Sequence, residues 1–442
     1  MNKTLQIASG RLAKALLLIG AAAVMASPAM AAKMMKTSFL DPQMSWPFTL
    51  SDHQGQDGKF YINGQNEGYT TVFDADSGKK LKTINMWEYE RAALKKAGKK
   101  VDEKANDFIM KNMRPHHGWV VPGGRYYYVS NNSKESSRMW VVDTKTDEIV
   151  GTFEAGGKGP LHGAFSPFQN LAAFGAVQDK KKGVVTLIDT KTHKVIGEAK
   201  TSGVQVRDIV FTPDNKHLYA TNQGWDPEKG IKGKVDMINI KTRKIVKTFD
   251  IPGAKGMKMT YDGKIAGVTN FRKGEVVFID AVKHKIIGTV KTGGKPNNVS
   301  FTADNKLAFA GLYEANEFVI IDLKKMSVAA RIAGGKEANA VYPVPGSDSI
   351  AIGTSESDDF VTFIDYKAMK KIKDIPTPLG AHNVSYTPDG KKAIVSCKKS
   401  REAVILDVAA MDELEIIPDA GNGNNGVRWV PYAKGLSASK PY

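Results

Sequence analysis

The chain has 442 residues, with 63 Lys and Arg against 46 Asp and Glu, a formal net charge of +17, and one cysteine, Cys397. A single cysteine excludes an internal disulfide, a four-cysteine metal site and a Cys-x-x-Cys-His haem attachment, so stability has to come from a core. The basic excess favours anionic partners, whether acidic proteins or small anions.

In chain order, residues 1–31 read as a secretory signal peptide. Lys3, Arg11 and Lys14 form a basic start, Ala15 to Met25 is an apolar run too short to span a bilayer, and "PAMAA" supplies an Ala-x-Ala cleavage site. The expectation is a periplasmic or secreted protein with no transmembrane anchor after cleavage and no nucleic-acid partner. Residues 32–55 form an N-terminal lead, in which "SWPFTL" is a candidate strand.

From residue 56 to 435 the sequence predicts strands. "KFYINGQNEGYTTVFDADSGKKLKTI" supplies three strands of a first blade. Residues 85–113, "NMWEYERAALKKAGKKVDEKANDFIMKNM", break the β alternation and read as one or two short helices split near Gly98, a candidate lid. Seven repeats follow. Each has four runs rich in Val, Ile, Tyr and Phe, a first turn that is often Pro-Asp-Gly-like, and a third turn of the form Asp-x-x-x-x. The first turns fall at Pro122, Pro167, Pro213, Tyr261, Ala303, Pro345, Pro388 and Pro431, in steps of 42 to 48 residues. Four antiparallel strands at this spacing predict the blades of a β-propeller. After Pro431 little chain remains, so "GVRWVPY" is expected to close the ring as the inner strand of the first blade. The count is eight blades, with seven as the alternative if one repeat is malformed. Residues 436–442 are a tail.

Aligned on the first turns, the positions five and six residues earlier should ring the axis. They hold His116 and His117, Leu161 and His162, Arg207 and Asp208, Lys255 and Gly256, Asn297 and Asn298, Asn339 and Ala340, His382 and Asn383, and Asn425 and Gly426. Four of the chain's eight histidines occupy these slots, and they fall in one run of consecutive blades, carrying His382, then Asn425, then His116 and His117, then His162. Imidazole ligates metals and carries protons near neutral pH, while Arg207 and Lys255 on the other half suit an anion. His116, His117, His162 and His382 are therefore candidate metal ligands, and Arg207, Asp208 and Lys255 join them as candidate cofactor-binding residues. On a regular strand, neighbours such as His116 and His117 point to opposite faces, so both serve one site only where regular pairing fails. His53, His193, His217 and His284 read as surface residues in turns or leads, and Cys397 as core. Trp225, Phe271 and Tyr313 form a candidate aromatic rim. No G-x-S-x-G, H-E-x-x-H or P-loop pattern is present.

"VSYTPDGKKAIVSC", "VTLIDTKTHKVIGEAKT" and "LYATNQG" resemble the YVTN-type bacterial propeller repeat over nearly all of residues 56–435. Eight such blades behind a signal peptide also resemble the haem d1 propeller of cytochrome cd1 nitrite reductase. That resemblance implies a haem d1-like tetrapyrrole over the axis with histidine as axial ligand, but no c-type haem domain is present, so an electron donor would be a separate periplasmic protein. Copper propellers such as nitrous oxide reductase and thiocyanate dehydrogenase are a more distant resemblance and use many more histidines. The functional expectation is a metal or tetrapyrrole held in a histidine-lined funnel, for redox chemistry as an oxidoreductase or for cofactor handling. Its rivals are a non-enzymatic platform whose basic face docks an acidic protein, and a propeller hydrolase or lyase.

Overall fold

The computed structural model describes residues 57–432 except 168, 182 and 225. The signal peptide, most of the N-terminal lead with "SWPFTL" and His53, Trp225 and the C-terminal tail lie outside the described residues.

Eight four-stranded antiparallel sheets form eight blades. Blade 1 is composite: strands β1 (Gly58–Gly64), β2 (Tyr69–Asp74) and β3 (Lys80–Asn85) pair onto the last strand, β32 (Asn424–Pro431). The predicted closure is present, with Phe60 opposite Trp429, Tyr61 opposite Arg428, Ile62 opposite Val427 and Asn63 opposite Gly426. Blades 2 to 8 follow in sequence, each from four consecutive strands, with inner strands β4 (Pro115–Val120), β8 (Pro160–Phe165), β12 (Val206–Phe211), β16 (Ala254–Met259), β20 (Pro296–Phe301), β24 (Ala338–Pro343) and β28 (Ala381–Tyr386).

Burial explains why no blade stands alone. Strand β14 (Lys234–Asn239), third in blade 4, is buried on both sides, whereas the outer strand β11 (Lys194–Lys200) of blade 3 is mostly exposed. The apolar clusters each bridge two neighbouring blades. One joins Trp140 of blade 2 to Tyr61 and Val430 of blade 1, and another joins Trp429 of blade 1 to Ile405 of blade 8. A blade removed from the ring would expose both faces.

The third turns close with a fifth residue in the left-handed region, including Asp147 (φ 54°), His193 (56°) and His284 (50°). Each is followed by a register shift of the kind a one-residue bulge produces. The insertion forms two helices, α1 (Met86–Lys96), capped by Asn85, and α2 (Glu103–Asn112), capped by Asp102. They pack Met86 and Ile109 into the cluster between blades 1 and 2. None of the residues lining the axial funnel comes from them, so the lid expected of this segment is instead a wedge between two blades. No helix among the described residues is long and apolar enough to cross a membrane.

Candidate functional site

The axial funnel, about 420 Å³, is lined by His116, His117, Leu161, His162, Arg207, Asp208, Lys255, Asn297, Asn298, Asn339, Ala340, His382, Asn383 and Asn425 from the predicted slots; Gly256 and Gly426 are not in the lining. The local reason that two adjacent residues share one cavity is a β-bulge. In blade 2, Pro115 pairs with Asn131 but Gly118 pairs with Val129, leaving His116 and His117 outside the ladder. The same irregularity frees Arg207 and Asp208, Lys255 and Gly256, Asn297 and Asn298, and His382 and Asn383. It resolves the strand-parity conflict for the paired histidines.

The bulges expose backbone groups that need partners, and the repeat motif supplies them. Ser130 Oγ accepts from the His117 N–H at 2.9 Å, Thr221 Oγ1 from Asp208 at 2.9 Å, Thr269 Oγ1 from Gly256 at 2.8 Å and Ser396 Oγ from Asn383 at 3.1 Å. These are the hydroxyls of "VSN", "ATN", "VTN" and "VSC", so the repeat signature holds the funnel's rim in shape.

The imidazoles converge. Ring centroids of His116 and His117 are 4.2 Å apart, His117 and His162 5.0 Å, and His117 and His382 6.2 Å. Burial, with neighbouring positive groups, holds His116 and His117 well below the usual imidazole range. His162 is also lowered by burial, although Asp208 opposes the shift. The three rings are thus neutral near pH 7 and keep a lone pair for a ligand. His116 Nδ1 is buried with no hydrogen-bond partner.

Two carboxylates orient the rings from behind. Asp208 Oδ1 lies 3.0 Å from His162 Nδ1, and Glu356 Oε1 lies 3.3 Å from His382 Nε2. Burial works against the charge of each, but His162 with Arg207 and Lys258 holds Asp208 far below the carboxylate range, and His382 with Lys398 does the same for Glu356. His382 also has Nδ1 3.0 Å from the Asn425 carbonyl, so both its nitrogens face oxygen acceptors and neither is aimed freely into the funnel.

The opposite half is cationic and amide-rich. Lys255 Nζ sits 4.0 Å from the Phe271 ring centroid, and burial, with Arg207 nearby, lowers its pKa to about 7. Asn297 and Asn298 both donate to Asn339 Oδ1, at 2.6 and 2.9 Å. Of the aromatic rim, Tyr313 lines the funnel and Phe271 lies beside Lys255. Cys397 is fully buried, and burial pushes its thiol pKa up.

The structure adds Glu356, Lys398 and Arg428 to the lining. Glu356 follows β25 (Ile350–Ser355) in the loop "ESDD", where three acids within four residues hid the one that turns inward. Three histidines read as surface residues prove otherwise: His193 is partly buried and bonded to Tyr128, and His217 and His284 are partly buried and converge on Asp214 at the face opposite the funnel mouth.

A family model described as a YNCE-like beta-propeller matches residues 155–433. The chain belongs to this YNCE-like propeller family. No curated protein matches the sequence. Among solved structures, apo AztD from Citrobacter koseri is similar at 12% identity with a TM-score of 0.61, covering 85% of this chain and 98% of that one. Kuenenia stuttgartiensis hydrazine synthase is similar at 18% identity and TM-score 0.53, covering 84% and 96%. A functionally unknown protein from Desulfotomaculum acetoxidans DSM 771 is similar at 16% identity and TM-score 0.52, covering 68% and 98%. At these identities the likeness is one of fold. For this YNCE-like propeller, the functional argument rests on the funnel.

Proposed function

We propose that this YNCE-like propeller is a periplasmic metal-handling protein whose funnel takes a transition-metal ion at His116, His117 and His162. The observation that carries the reading is the buried, unpartnered Nδ1 of His116 beside two further imidazoles held neutral by burial. A buried polar atom without a partner costs stability unless something fills the place. Asp208 bonded to His162 is the carboxylate–histidine arrangement that orients metal ligands and raises their basicity. His116, His117 and His162 would hold the ion through ring nitrogens, and a bound transition metal would supply Lewis acidity at the axis.

Lys255 and Arg207 across the funnel would hold an anion that accompanies the ion. The same polar walls favour a small hydrated ion over a tetrapyrrole, which needs broad apolar faces. The basic, apolar start of the chain supports a periplasmic or secreted location. The test is metal analysis of protein purified from its native host, and titration with Cu²⁺ and Zn²⁺, for the parent and for the His117→Ala/His162→Ala variant. Binding lost in the variant is expected. Equal binding by both proteins would reduce the cluster to a lining of the channel.

A further inference from the structure

We infer that Asp214, His217 and His284 form a second, independent site for a divalent transition-metal ion, pinning blade 4 to blade 5 on the face opposite the funnel mouth. One donor atom from each of the three lies within 4.8 Å of the others, which no three donors in the funnel achieve among the described residues. His217 Nδ1 is 2.5 Å from Asp214 Oδ2, and His284 Nε2 is 3.6 Å from the same oxygen. The three side chains are 18%, 30% and 21% exposed in the order His217, Asp214, His284, which leaves an ion a path in and room for water as further ligands.

Repeats within the molecule serve as controls. His284 occupies the left-handed fifth position of its turn, and its Nδ1 is 2.7 Å from the hydroxyl of Tyr219 in the preceding blade. His193, two blades earlier, has the same backbone (φ 56°) and the same 2.7 Å bond, to Tyr128. There the place of His217 is taken by Tyr126, whose ring packs against His193 at 4.3 Å, and the place of Asp214 by Gly123. Latching one blade to the next therefore accounts for His284 and Tyr219 but requires neither Asp214 nor His217.

The carboxylate differs from its siblings as well. In the equivalent turns Asp262, Asp304 and Asp389 each tie one oxygen to a threonine and the other to the lysine two residues on, at 3.0, 3.0 and 3.4 Å. Asp214 keeps the threonine bond, 2.7 Å from Thr212, but turns its second oxygen toward two imidazoles.

The bond from Tyr219 fixes the ring of His284. With Nδ1–H donating to the phenol oxygen, Nε2 presents its lone pair to the shared point, the outer-shell support that metal-ligating histidines ordinarily have. Two imidazoles and a carboxylate suit zinc, or cobalt as its substitute. Loading puts the ion where the proton between His217 and Asp214 was, and that proton moves to His217 Nε2, so the ring stays neutral. It opens that pair to roughly 3–3.5 Å, as ligands at about 2.0–2.2 Å from a tetrahedral ion require, and gives up the weak 3.5 Å contact of His217 Nε2 with Asn239.

The experiment is Co²⁺ titration followed by visible absorption in the His117→Ala/His162→Ala background, so that the funnel does not contribute. One equivalent with d–d bands is expected, lost on adding His217→Tyr, which copies the junction between blades 2 and 3 at Tyr126, or Asp214→Asn. Zn²⁺ should raise the melting temperature of the background protein and leave that of the His217→Tyr protein unchanged. The inference is overturned if the background protein takes up no Co²⁺, or if both added substitutions leave its uptake intact. Because His117 and His162 are already removed, which leaves the funnel without the imidazole set its site requires, neither outcome depends on the function proposed for the funnel.

Discussion

Asp208 does two things with one side chain: Oδ1 holds His162 Nδ1, and Oδ2 accepts from the Met257 N–H at 2.8 Å on the next blade. Asp208→Asn keeps the shape and removes the charge, so metal affinity in the funnel should fall by about 10–100-fold, as for other carboxylates behind a metal-ligating histidine. Titration calorimetry reads the change, and an unaltered affinity would detach Asp208 from the site. Lys255 makes a prediction about pH. Burial lowers its folded pKa to about 7, against an unfolded value near 10.4. Between these values the unfolded chain binds more protons, so stability rises with pH through that window, and the cost of Lys255 is full below pH 7. Lys255→Met should therefore stabilise the protein at pH 6 by a few kcal/mol, at most about 1.4 kcal/mol per pK unit, and the gain should shrink toward pH 10. Urea unfolding at both pH values checks the sign.

At the scale of the element, the bulge at the head of each inner strand is the device that makes a site out of a repeat. Its geometry depends on a hydroxyl one strand away. Ser130→Ala leaves the N–H of His117 without its 2.9 Å acceptor, at a cost of about 1–3 kcal/mol for a buried unpaired group. Lower stability and weaker metal binding should appear together in this variant, whereas a surface serine changed to alanine should move neither. The helical insertion is held differently. Glu90 is buried in α1, accepts from Trp140 Nε1 at 2.9 Å and pairs with Arg138 at 3.2 Å. Glu90→Ala strands the indole N–H and should cost a similar 1–3 kcal/mol. Because the helices contribute nothing to the funnel lining, metal binding should be unchanged, and a loss of binding there would restore the lid reading.

For the whole molecule, closure is the central dependency. Strand β32 brings Val427, Trp429 and Val430 into the clusters on both sides of blade 1. At about 1.5–3 kcal/mol for each large apolar side chain buried, deleting residues 424–442 removes an amount comparable to the entire net stability of an ordinary fold, about 5–15 kcal/mol. The truncated chain should lose its cooperative thermal transition and expose the edge of β1, which calorimetry and light scattering would register. A melting temperature equal to the parent's would refute the dependence on closure.

The repeat spacing, the alternation of apolar residues and the leftover strand at the C-terminus pointed to eight blades and the composite first one, because these features depend on local periodicity, and the structure decided against the seven-blade alternative. The axial slots were also legible, since every blade brings at least one of the same two positions to the funnel lining, Gly256 and Gly426 being the slots that fall outside it. What only the tertiary structure decided is which side chains meet across blades. His116 and His117 share a cavity because of a bulge that periodicity does not reveal. Glu356 was hidden among loop acids, and the helices of residues 85–113 could be placed over the funnel or beside it with equal economy. His217 and His284, 67 positions apart in the sequence, converge on Asp214 because the turns of adjacent blades come together on one face. Such contacts depend on the rotation from one blade to the next, which is set by packing between the sheets and leaves no mark in the pattern of any single strand.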